Sequence, residues 1–194
     1  MHISIVQVAT LSWRLADRAI RRREQVKERP ARAAREIGLL LLRGRTELGH
    51  AAWSTLGSLS PDAAASQMEA IGELEAAREA PLVAAAEGIS VLTSVVLAAD
   101  EFLPPLGLDV AGGLEAGLRA MSELPDAIVV GFSLVRTPGD PAQGIHPSEV
   151  GRVYPHLRAI DASALSGQVR CRYCGALFPF SSTRCPSCGG DVQR

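Results

Sequence analysis

The spacing of apolar positions predicts a mainly helical chain. From about Ser4 to Glu28 the sequence opens on Ile5, Val6, Val8, Leu11, Trp13 and Leu15 and turns basic toward its end. This reads as one long helix stopped by Pro30, because the residue before a proline avoids helical dihedrals. Ala31 to Leu56 places Ile37, Leu40, Leu41, Leu48 and Ala52 at helical spacing and predicts a second helix. Gly38, Gly44 and Gly49 weaken it, each by about 1 kcal/mol against alanine, and leave room for a close neighbour. Ser60-Pro61-Asp62 starts a third helix, with serine as the cap and proline at the first helical position, where its missing N–H does no harm. Leu82 to Ala99 is apolar on nearly every face of a helical wheel, which predicts a helix enclosed by the others. Asp109 to Leu124 predicts a fifth helix. Ala127 to Val135 is short and β-branched, a strand or a buried extended segment. Pro138, Gly139, Pro141, Gly144 and Pro147 then mark a linker, and a short helical piece is expected around Val150 to Ala164.

Composition supports helices. The chain is 47% hydrophobic but only 4% aromatic, so its core is expected to be Leu, Val, Ile and Ala. Charge adds a second feature. The net of −1 is the balance of unlike segments: residues 1–45 carry eleven basic and four acidic side chains, residues 46–150 three and fifteen, residues 151–194 six and two. Either basic and acidic helices pair, with Arg21, Arg22 and Arg23 against Glu69, Glu73 or Glu79, or a basic surface stands ready for a polyanion. Lys27 alone against nineteen arginines points to a codon bias, so no single arginine is evidence of a chosen guanidinium. The opening MHISIVQVATLSW lacks a basic leader, so no secretory signal is expected. Glu87, Ser90, Thr93 and Ser94 interrupt the most apolar stretch, which argues against a membrane span.

The strongest chemical signal is the string CRYCGALFPFSSTRCPSCGG. Cys171 with Cys174 and Cys185 with Cys188 form two Cys-x-x-Cys pairs separated by ten residues. A two-residue gap lets both thiolates of a pair face one point, and Gly175 and Gly189 supply the backbone freedom such a knuckle needs. The ten residues between the pairs suit a short hairpin that sets one pair opposite the other. Four thiolates complete the tetrahedral site zinc prefers; an iron tetrathiolate is the minor alternative. With all four cysteines in this one cluster, a reducing cytoplasm is expected.

These residues resemble the zinc-ribbon superfamily over about residues 169–194. The resemblance implies a small β-hairpin module around one structural zinc held by Cys171, Cys174, Cys185 and Cys188. Such a site has no open position for substrate or water, which disfavours hydrolytic metal catalysis. The expected fold class is therefore mainly α, a multi-helix domain over residues 1–130 with a C-terminal zinc ribbon over 169–194. Residues 131–168 are expected to form an extended segment and connector.

Candidate binding residues are Arg172, Tyr173 and Arg184 on the ribbon and Arg21, Arg22 and Arg23 on the first helix. Guanidinium and aromatic groups together suit phosphate contact and base stacking. Catalytic signals are poor. His146 and His156 lie near acidic residues in sequence, Ser133 in GFSLV lacks a nucleophile elbow, and Gly112-Gly113 lacks the context of a phosphate loop. The leading expectation is a non-enzymatic cytoplasmic adaptor whose ribbon contacts nucleic acid or a protein partner, with self-association through helices. The alternatives are a membrane-surface or assembly scaffold, whose first helix inserts at an interface, and an enzyme with an unrecognised site in the helical domain.

Overall fold

The structure is a computed structural model that describes residues 1–11, 13–26, 28–77, 82–84, 90–100, 110–140, 142–160, 168–170, 177–179, 184 and 187–190. It overturns the mainly helical expectation. The body is a five-stranded antiparallel sheet with helices on both faces, a mixed α/β architecture.

The apolar opening is strand β1 (His2–Thr10), and only the basic remainder is helix α1 (Trp13–Gln25). Helix α2 (Pro30–Arg43) ends at Gly44, whose N–H donates to the Leu40 carbonyl at 3.0 Å. A 3-10 turn (Arg45–Glu47) leads into β2 (Leu48–Leu56), so the expected second helix is half strand. Helix α3 (Pro61–Ala76) starts as expected, with Ser60 Oγ accepting from Ala63 N at 3.3 Å. The stretch predicted as an enclosed helix is instead β3 (Leu82–Ala84) and β4 (Val91–Ala99). All nine residues of β4 are buried. A strand covered on both faces reads as a continuous apolar run and cannot be told from a buried helix by periodicity.

Helix α4 (Val110–Ser122) and β5 (Val129–Thr137) match the expected fifth helix and extended segment. Beyond them come β6 (Gln143–Ile145), a 3-10 turn at Pro147–Glu149, α5 (Val150–Val153) and β7 (Arg158–Ala159). Residues 129–160 therefore build the body: β5 pairs with β4, β6 with β3, and β7 with β2. The main sheet runs β5-β4-β1-β2-β7.

Strand alternation divides the core. Val6, Val8, Ala51, Trp53, Val95, Leu97 and Phe132 face one side, under Leu15 and Ala19 of α1, Ile37 and Leu41 of α2, and Leu114 and Leu118 of α4. Ile3, Val96 and Ala98 face the other, against Ala64 and Ile71 of α3. Ala9 and Leu92, also on that second side, pack with Ile145, Val150, Tyr154 and Leu157. Helices α2 and α4 approach closely at Gly38, where a Cβ would lie 3.0 Å from the Leu118 carbonyl oxygen.

Candidate functional site

In the tail, β8 (Gln168–Arg170) pairs with β9 (Leu177–Pro179), in register from Gln168↔Pro179 to Arg170↔Leu177. The hairpin thus brackets the first cysteine pair and is not confined to the ten residues between the pairs. After the second pair, Gly189 has φ +72°, the left-handed conformation that glycine takes without steric cost. Cys188 and Arg184 are exposed. Cys171, Arg172, Tyr173, Cys174 and Cys185 lie outside the described residues. Among the described residues no group of three or more His, Cys, Asp or Glu could hold a metal. The backbone shows paired strands on either side of one Cys-x-x-Cys and a left-handed glycine directly after the other.

Among the described residues, Arg21, Arg22 and Arg23 of α1 form no ion pair with Glu69 or Glu73. Arg21 Nε is 2.9 Å from Asp17 Oδ2, one turn back. Arg22 forms an ion pair with Glu36 of α2 and donates to Gln25 Oε1 at 2.8 Å. Arg23 donates to the Phe132 carbonyl at 3.4 Å, and its guanidinium stands 5.8 Å from the Phe132 ring centroid. Arg23 is therefore committed to β5, whereas the side chains of Arg21 and Arg22 stay 72% and 44% exposed. Glu69 and Glu73 belong to α3, on the opposite face of the sheet; Glu79 lies outside the described residues.

Glu36 also accepts from Arg32 Nε at 2.8 Å. Burial raises the affinity of its carboxyl for a proton, but hydrogen bonds from Arg32 and Arg22 and their charges outweigh that and hold it below its usual range. On β2, burial alone pushes the His50 imidazole below its usual value.

Two clefts border the basic helices. One, of about 610 Å³, is lined by Trp13, Arg14, Asp17, Arg18, Arg21 and Glu47. The other, of about 330 Å³, is lined by Arg29, Pro30, Ala31, Arg32, Arg35 and Asp126. Arg18 is 3.4 Å from Glu47, while Arg35 pairs with Asp126 and donates to the Leu124 carbonyl at 2.8 Å. The first cleft was hidden in the sequence because it unites one face of α1 with a carboxylate from the 3-10 turn before β2. Its signal lies in the spacing of Arg14, Arg18 and Arg21 behind an aromatic residue, once the helix is known to begin at Trp13.

The two histidines weighed for catalysis make contacts within the fold. His146 Nδ1 lies 2.7 Å from Ser148 Oγ and caps the following turn. His156 Nε2 donates to Gln7 Oε1 at 2.6 Å, and Gln7 Nε2 donates to Ser94 Oγ at 3.2 Å. This chain ties the segment after α5 to buried polar positions on β1 and β4. The Tyr154 ring meets His156 edge-on at 6.1 Å.

No family model, no curated protein and no solved structure matches the chain. Among the described residues, no helix is long and apolar enough to cross a membrane. The apolar segment that a membrane-surface role would place at an interface is β1, in the middle of the sheet.

Proposed function

We propose that this protein is a non-enzymatic, zinc-anchored adaptor that binds nucleic acid through the basic helical layer of its body and through its ribbon tail. The observation that carries this reading is the separation of charge by the sheet. Helices α1 and α2, together on one face, hold eight arginines against three carboxylates. Helix α3, on the other face, holds four carboxylates and no basic residue. Glu47 and Asp126 pair with Arg18 and Arg35, and α1 and α2 still keep an excess of positive charge available to phosphates. The tail supports the same reading: Arg184 is exposed beside the knuckle, and Arg172 and Tyr173 fall between the first two cysteines. Zinc held by Cys171, Cys174, Cys185 and Cys188 supplies folding energy to a module too small for a core of its own. Thiolate ligation suits a reducing cytoplasm.

The test is a salt titration of the full-length chain against labelled single-stranded DNA, RNA and duplex DNA by fluorescence anisotropy. Binding that weakens steeply between 50 and 200 mM salt, by about tenfold or more, is expected. Binding that is absent, or indifferent to salt, overturns the nucleic-acid reading and leaves a protein partner as the ribbon's target.

A further inference from the structure

We propose that the cleft along α1 is a binding site for single-stranded nucleic acid, in which a base stacks on the Trp13 indole and phosphates are held by Arg14, Arg18 and Arg21. This rests on the nucleic-acid reading above and sharpens it to a strand form and a place.

Three features of the cleft carry the inference. Trp13 is 38% exposed at the first position of α1, beside Leu11 at 49%, so a large apolar surface stands open next to guanidinium groups. The other tryptophan, Trp53, is buried in the core under α4, so exposure at position 13 does not reflect a shortage of core space. Arg14, Arg18 and Arg21 follow at intervals of four and three residues, which places them on one face of the helix. Helix rise separates the first from the second by about 6 Å and from the third by about 10 Å along the axis, so the three form a cationic row along the cleft. The volume of about 610 Å³ accommodates a nucleotide.

The pairing of flat aromatic and cationic row selects the ligand. A base in a duplex has both faces occupied by its neighbours, whereas an unpaired base offers a free face to an indole. A helix that reads duplex DNA enters the major groove, but α1 lies flat on the sheet with Leu15, Ala16 and Ala19 buried beneath it. The two carboxylates in the cleft have a definite role. Asp17 pairs with Arg21 at 2.9 Å and Glu47 with Arg18 at 3.4 Å, so each carboxylate occupies a guanidinium group that a phosphate would take. Phosphate binding then competes with these ion pairs, and removing a carboxylate should favour it.

The experiment uses the full-length chain with a labelled oligo-dT probe and a duplex of equal length. Trp13→Ala is expected to weaken oligo-dT binding by about tenfold or more, while Trp13→Phe retains most of the affinity and guards against loss of fold. Tryptophan fluorescence of the parent chain should be quenched by oligo-dT, and that quenching should vanish in Trp13→Phe. Arg18→Ala with Arg21→Ala should lower the salt slope by about 1.4, and Glu47→Gln should tighten binding. Unchanged oligo-dT affinity in Trp13→Ala, or duplex bound as tightly as single strand without quenching, overturns the stacking site while the basic surface survives. No salt-sensitive binding to either probe overturns both. Flotation with anionic vesicles that Trp13→Ala abolishes, with oligo-dT affinity unchanged, assigns the cleft to lipid and overturns the proposal.

Discussion

Glu36 receives two guanidinium groups, Arg22 from α1 and Arg32 from its own helix. Its carboxyl is held below the usual 4.5, so the stabilisation is present above that value and is lost as pH falls through the lowered one. Glu36→Gln should therefore be less stable at neutral pH and lose less on acidification. Urea midpoints measured across that range check it. At His50 the neutral form is the one favoured, and the pH dependence runs the same way. Its Nδ1 is buried with no hydrogen-bond partner among the described residues, and burial holds its affinity for a proton below the usual 6.5. The unfolded chain therefore binds the proton more readily, and stability falls as pH drops from 6.5 toward the lowered value. His50→Gln should remove that slope, an effect separable from Glu36 because it begins at higher pH. At Gly38, alanine would improve helix propensity by about 1 kcal/mol. Its Cβ would press on the Leu118 carbonyl at 3.0 Å and on Ser122 N at 3.2 Å, both backbone atoms. Overpacking of this kind costs about 1–3 kcal/mol, so Gly38→Ala should be destabilising in chemical denaturation.

The elements differ in how openly the sequence announces them. Helix α3 was legible from Ser60-Pro61 and α4 from its apolar spacing, because local signals decide helix ends. Strands β1, β2 and β4 were not. Strands β1 and β4 are buried at nearly all positions and lack the polar alternation that marks a half-exposed strand. Strand β2 is only partly buried and opens on glycine-containing sequence that continues the apolar spacing of α2. Some polar residues within β1 and β4 bond inside the fold. Gln7 and Ser94 bond one another, and Thr10 Oγ1 donates to the Val91 carbonyl at 3.1 Å. The two Cys-x-x-Cys pairs proposed to hold zinc stand out by spacing alone, whereas the Trp13 cleft needs Glu47, which chain folding brings to α1 from beyond α2. The tail makes its own prediction. Cys188→Ser should lower bound zinc from one per chain toward none, read by metal analysis after gel filtration, and should leave thermal unfolding of the body within a few degrees of the parent. A body that unfolds together with zinc loss would show the tail and sheet to be one cooperative unit.

At the scale of the molecule, the sheet works as a spacer between unlike charges. Helices on its two faces lie about 20 Å apart from axis to axis, beyond the Debye length of about 8 Å at physiological salt. Charge changes on α3 should therefore be nearly silent in nucleic-acid binding. Glu69→Gln with Glu73→Gln is expected to alter affinity by less than about twofold at 0.15 M salt, whereas Arg18→Ala with Arg21→Ala weakens it clearly. Anisotropy titrations on the two double variants compare the faces directly.

The order β5-β4-β1-β2-β7 has a consequence during synthesis on the ribosome. Strand β1 emerges before one of its two partners, β4, which pairs Ala99 with His2 and so follows 97 residues later. Until then β1 offers an open edge and unburied valines and isoleucines to whatever is near, the state in which nascent chains pair wrongly or recruit chaperones. Closing so distant a contact is slow. A stall in translation between β2 and β4 would therefore be the dangerous one, leaving the middle of the sheet without its third strand.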